Sequence, residues 1–195
     1  MPLVTALSGA GRDRVVVELD GSPWRALPAA VVVRARLRVG MVADRATFRL
    51  VRRELRRVEA SRVATRALAA HDRSAQSIDA RLERAGFARG IRSETIEELE
   101  RSGALDDARF ARRRAELLAE RGYGDAAIRA DLGRAGLAGE LAAEAIAELA
   151  PERDRALAVV RKRGPGARTR RYLAARGFDE EAVAAAWPAS FASDS

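Results

Sequence analysis

The chain repeats itself at an interval of 50 residues, and this constrains the possible folds more than any other feature. Ser74–Phe87 reads SAQSIDARLERAGF and Gly124–Leu137 reads GDAAIRADLGRAGL. Ile78, Leu82, Gly86 and Phe87 fall on Ile128, Leu132, Gly136 and Leu137, and the same offset places Ile96 on Ile146 and Leu99 on Leu149. A third copy, Gly166–Phe178, sets Leu173, Gly177 and Phe178 at the same positions, with Thr169 in place of the isoleucine. That threonine predicts looser packing in the third copy. Its last helix is shorter, and Val183 and Trp187 are expected to fill the apolar roles.

Each copy is expected to hold three helices. The leading ones are Arg62–Ala70, Asp107–Arg121 and Glu152–Arg163, each closed by a polar or glycine-rich joint. The recurring glycine at 86, 136 and 177 follows the middle helix, where a C-cap needs a left-handed residue. Leu105-Asp106-Asp107-Ala108-Arg109-Phe110 predicts a capped helix start: Asp106 as N-cap, Asp107 against the helix dipole, and Leu105 and Phe110 closing as a hydrophobic staple.

The first 60 residues are of another kind. Val4–Leu7, Val15–Leu19 and Trp24–Leu27 predict short antiparallel strands, with Asp20-Gly21 as a hairpin turn. Ala30–Leu37 fits either a strand or a helix begun at Pro28. From Ala46 the spacing of Phe48, Val51, Leu55 and Val58 is helical. The expected architecture is therefore mainly α: a tandem array of three three-helix repeats preceded by a small β-sheet plus helix module. The expected boundaries are 1–60 for the α+β module, 61–103, 104–150 and 151–190 for the repeats, and 191–195 for a disordered tail. Composition agrees, since 43 alanines against 5% aromatic residues favour close-packed helices over a sandwich of strands.

Catalytic chemistry has few places to reside. With no cysteine there are no disulfides or thiolate ligands, and His71 is the one histidine. Asp106-Asp107 could suggest a metal pair, but neighbours on a helix do not face each other and the cap accounts for both. Gly164-Pro165-Gly166-Ala167-Arg168-Thr169 looks like a phosphate loop yet lacks the lysine that such loops deliver. Neither an enzyme, a cofactor nor a metal is expected. No apolar run is long enough for a membrane helix and no signal peptide is seen, so a soluble cytoplasmic monomer is expected.

Charge points to surfaces. Residues 1–73 hold 15 basic and 7 acidic residues, residues 74–150 hold 12 and 15, and residues 151–195 hold 9 and 6. Two basic ends flank an acidic middle, which suits a polyanion or a protein of opposite pattern. Three clusters are candidate contacts. Arg52, Arg53, Arg56 and Arg57 form a stripe on the helix that begins near Ala46. Arg112, Arg113 and Arg114 are interspersed with Glu116 and Glu120. Arg161, Lys162, Arg163, Arg168, Arg170 and Arg171 surround Tyr172. The first and third show few acids at compatible spacing, so their repulsion needs an outside partner. A solvated helix face is the alternative for each.

The repeat with its Gly103-Ala104-Leu105-Asp106-Asp107-Ala108-Arg109-Phe110-Ala111 run, the Ser74–Ile78 lead into Gly86-Phe87, and Gly122-Tyr123-Gly124 leading to Gly136-Leu137 resemble the RecX family of bacterial recombination regulators. Val15–Gly21 and Val39-Gly40-Met41 resemble the amino-terminal extension of many members. The resemblance implies a non-catalytic protein that binds the RecA recombinase filament on single-stranded DNA and restrains its ATPase, strand exchange and growth. Contact with single- or double-stranded DNA is a further implied possibility. The alternative is a nucleic-acid-binding protein that acts without RecA.

Overall fold

The computed structural model describes residues 1–187. Strands β1 (Val4–Gly9), β2 (Arg14–Leu19) and β3 (Ser22–Pro28) form one antiparallel sheet in chain order. Asp20 and Gly21 both take positive φ, 49° and 80°. Two successive left-handed residues make the tight turn whose twist matches a hairpin. Pro23 and Pro28 lie on the edge strand β3, where they withhold N–H groups from any further strand.

The ambiguous segment after β3 is a helix, α1 (Ala29–Arg34), begun at Pro28 with φ −55°. Proline presets the backbone angle of a helix start. Val31 and Val32 turn inward to meet Val4, Val17, Leu27 and Val51, and this small core covers the sheet. Helix α2 (Arg45–Ala70) begins at Asp44, whose carboxylate accepts from the Thr47 N–H at 2.7 Å and from its hydroxyl at 2.8 Å. Its periodic apolar residues Phe48, Leu55 and Val58 pack on the same core. Farther along, Ala60, Ala64 and Ala67 are buried, and α2 lies against α4 (Arg89–Arg101). Residues 62–70, expected as a separate leading helix, are the last part of α2, which runs unbroken across positions 60 and 61. No glycine or proline interrupts residues 45–70.

The chain divides into two compact units, Met1–His71 with Asp79–Ser102, and Asp72–Ile78 with the described residues from Gly103 onward. The remaining helices are α3 (Ala75–Arg84), α5 (Asp107–Glu120), α6 (Asp125–Arg134), α7 (Gly139–Ala147), α8 (Glu152–Arg163), α9 (Ala167–Ala175) and α10 (Glu180–Ala185). The protein is thus mainly helical, with three successive three-helix groups following a three-stranded sheet in the chain. Ile78, Leu82, Ile128, Leu132 and Leu173 are fully buried. The third-copy Thr169 is also buried, and its hydroxyl donates to the Gly164 carbonyl at 2.7 Å. That bond removes the cost of placing a hydroxyl where the other copies hold isoleucine.

The three middle helices close alike. Gly86, Gly136 and Gly177 have φ of 76°, 82° and 77°. Phe87 N donates to Leu82 O at 3.1 Å, Leu137 N to Leu132 O at 3.2 Å and Phe178 N to Leu173 O at 3.1 Å. The glycine N–H bonds the carbonyl of Glu83, Gly133 or Ala174 in turn, completing the paired C-cap in which a left-handed residue satisfies orphan carbonyls.

These caps also join the repeats. Ser74 Oγ donates to Ala135 O, Gly124 N to Arg176 O at 2.9 Å, and Ala126 N to Gly177 O at 3.2 Å. So the end of α6 rests on the start of α3, and the end of α9 rests on the start of α6. Each joint is reinforced by a carboxylate. Asp107 Oδ1 accepts from Ala75 N at 2.8 Å, and Glu152 Oε1 accepts from Asp125 N at 2.6 Å. The first turn of each leading helix therefore caps the preceding middle helix. Pro165 stands where Ser74 and Gly124 stand in the earlier copies, and it has no N–H to offer.

Candidate polyanion and partner surface

The stripe on α2 is not bare. Arg53 pairs with Glu94, and Arg57 reaches Glu94 at 3.1 Å, Glu54 at 3.4 Å and Glu98 at 3.9 Å. Arg34 joins the same network through Glu98 at 2.6 Å and Glu54 at 4.0 Å. Arg56 meets Glu59 at 3.1 Å, donates to the Gly86 carbonyl at 3.0 Å and lies 4.6 Å above the Phe87 ring. The expectation that repulsion along this stripe goes uncompensated does not hold, because α4 brings Glu94 and Glu98 alongside it. Arg52 stays exposed with no partner among the described residues. Glu54 is only 4% exposed, so its carboxylate depends on these arginines.

The second cluster is likewise occupied. Arg113 bonds Asp72 at 2.9 Å and Arg112 lies 3.9 Å from Glu148. Arg114 grips both oxygens of Asp131, at 2.7 and 3.2 Å. This fork, followed by burial acting in the opposite sense, holds the Asp131 carboxyl below the usual carboxylate range. At the staple, Leu105 is buried and Asp106 Oδ1 accepts from Arg109 N at 2.8 Å, while Phe110 is half-buried. That backbone bond is the main cause of the lowered Asp106 pKa. Asp106 caps α5 and Asp107 caps α3, so the paired aspartates serve two different helices. Among the described residues no group of three metal-ligating side chains converges, and no helix is long and apolar enough to cross a membrane.

The third cluster differs. Arg161, Lys162, Arg163, Arg168, Arg170 and Arg171 are all exposed, and none has a carboxylate partner among the described residues. Three arginines lie instead on aromatic rings. Arg163 is 3.9 Å above the half-buried Tyr172, Arg170 is 4.5 Å above Trp187, and Arg176 covers Tyr123 at 4.3 Å and Tyr172 at 5.1 Å. Sequence reasoning missed Arg176, Tyr123 and Trp187 as members of this face. Beside it a groove of about 320 Å³ runs between the end of α5 and α8–α9, lined by Arg121, Arg155, Lys162, Arg163 and Tyr172, with Glu120 as its acid.

A small sheet followed in the chain by three-helix groups, with arginines displayed and several carboxylates held in caps and ion pairs, defines a helical-repeat protein. Residues 106–146 match the family described as RecX, second three-helix domain. The regulatory protein RecX of Chromohalobacter salexigens is 37% identical over 137 residues, which is 64% of this chain and 90% of that one. A crystal structure of regulatory protein RecX shares the fold with a TM-score of 0.81 at 17% identity, covering 93% of this chain and 97% of that one. The crystal structure of RecX from Lactobacillus salivarius does so with 0.59 at 15% identity, over 67% and 94%. The chain belongs to the RecX family of regulatory proteins.

Proposed function

We propose that this protein is a non-catalytic cytoplasmic regulator that docks on the RecA recombinase bound to single-stranded DNA and restrains its ATPase, strand exchange and filament growth. The observation that carries this reading is the likeness to a regulatory RecX protein over nine-tenths of that protein's length. Two features support it. Helical repeats that pack on their neighbours offer surfaces suited to a large partner, and the exposed chemistry is arginine-rich, which favours oriented docking and fast encounter. The test follows ATP hydrolysis by RecA on single-stranded DNA while this protein is added below stoichiometry. A falling rate supports the reading, and an unchanged one ends it.

A further inference from the structure

We propose that the outer edge of β1 docks an extended acidic segment of a partner protein, added to the sheet as a further strand and clamped at its ends by Arg12 and Arg38. The site lies within the N-terminal module and does not depend on the regulatory role proposed above.

Register decides which backbone groups face outward. Ala10 N donates to Arg14 O at 2.8 Å, and β1 sets Ser8 opposite Val16 and Leu7 opposite Val17. Opposed residues of an antiparallel pair alternate between bonded and non-bonded. Ser8 therefore bonds to β2, while Leu7 and Gly9 turn their N–H and C=O groups away from it. Across a register shift between Val4 and Ala6, Val4 faces the same way, and its groups are satisfied. Its N–H donates to Met41 O and its C=O accepts from Gly40 N, both at 2.9 Å. The outward groups of Leu7 and Gly9 have no such partner among the described residues. Two donors and two acceptors thus stand in a row, the template that strand addition uses. The opposite edge is closed, because Pro23 and Pro28 of β3 carry no N–H. Strand β1 has neither a proline nor a charge.

Charge selects the occupant. The Arg38–Met41 turn stands at one end of the free edge, with Met41 N donating to Arg38 O at 3.2 Å, and Arg12 follows the other end. Both arginines are exposed, and neither has a carboxylate partner among the described residues. From Val4 to Ala10 the strand rises about 20 Å, so a segment clamped at both ends carries carboxylates about that far apart. Between them, the half-buried Leu7 offers an apolar contact on the core side of the sheet. A second copy of this chain is a poor occupant. Antiparallel pairing of two β1 strands would bring Arg12 of each beside the Arg38 turn of the other, in a chain already at +8.

The test uses the full chain without RecA and a fluorescein-labelled peptide of four Glu-Val repeats, read by anisotropy. Binding is expected for this peptide and not for four Lys-Val repeats. Nor should the Glu-Val peptide bind once it is N-methylated throughout, since it keeps its charge but loses its backbone donors. Gly9→Pro removes one outward N–H at a position where a Cβ meets nothing within 4 Å, and it should weaken binding about fivefold with unchanged circular dichroism. Arg12→Gln/Arg38→Gln should weaken it about tenfold at low salt and less at high salt. Equal binding of the N-methylated peptide overturns strand addition, and that arm decides even where Gly9→Pro loses its fold. Equal binding of the lysine peptide overturns the acidic assignment, and absent binding of the Glu-Val peptide overturns the site. Sedimentation that finds a dimer dissociated by Gly9→Pro gives the edge to a second copy and overturns the proposal. None of these outcomes bears on the ATPase test, since RecA is absent.

Discussion

Three glycines with the same backbone conformation sit in different surroundings, so alanine at each separates strain from crowding. A Cβ on Gly86 meets nothing within 4 Å, so Gly86→Ala should cost only the left-handed strain of a side chain, about 1–2 kcal/mol. On Gly177 it would stand 2.6 Å from the backbone nitrogen of Ala127, which cannot yield without moving α6. On Gly136 it meets mainly the side chain of Gln76, which can swing away. Denaturant unfolding should therefore rank the losses Gly177→Ala, then Gly136→Ala, then Gly86→Ala. Gly124→Ala isolates crowding alone: its φ of −83° suits any residue, yet a Cβ would collide with the backbone of Gly177 and Phe178. A loss at Gly124 matching that at Gly177 would place the cost in the joint between α6 and α9 rather than in the turn.

Helices inherit these joints, and here the limits of sequence reasoning become physical. The hairpin at Asp20-Gly21, the glycine caps and the staple at Leu105–Phe110 were legible because each depends on residues a few positions apart. The continuity of α2 was only half legible. Two apolar patterns meet near residue 60 and suggested a boundary, although nothing there breaks a helix. Partners of the arginines were not legible, since Glu94 and Glu98 approach Arg53 and Arg57 only after α4 folds onto α2. Likewise Asp107 stands in the first turn of its own helix, as its position against the dipole requires, but its second task of capping α3 was not legible. Replacing Arg52, Arg53, Arg56 and Arg57 together by alanine should therefore destabilise the fold. The buried Glu54 would lose Arg57 and keep only Arg34 at 4.0 Å. A loss of about 2 kcal/mol, or about 4–8 °C in Tm, is expected, whereas Arg52→Ala alone should leave Tm unchanged. In the second repeat, Leu132→Ala should cost about 2–5 kcal/mol, since that side chain is wholly buried.

Charge and stability meet at the scale of the whole molecule, because the chain is already at +8 near neutrality and acid can only add to that. Three carboxyls have pKa values below the ordinary range. Asp44 is lowered chiefly by the Thr47 backbone N–H, Asp106 by the Arg109 N–H, and Asp131 by the side-chain fork from Arg114. A carboxylate whose folded pKa is depressed stabilises the native state fully above its unfolded pKa of about 3.9, and that stabilisation is lost as pH falls through the folded value. Stability should thus be level from neutrality down to about pH 5 and fall below about pH 4. Asp131→Asn deletes one contribution, so the variant should be less stable at neutral pH and converge on the parent in acid. Urea unfolding at a series of pH values measures both curves. Curves that stay parallel through pH 3 would mean that the Arg114 fork has no part in acid sensitivity. Salt separates pairing from repulsion: raising it in acid should restore stability lost to excess positive charge, but not the difference between Asp131 and asparagine at neutrality.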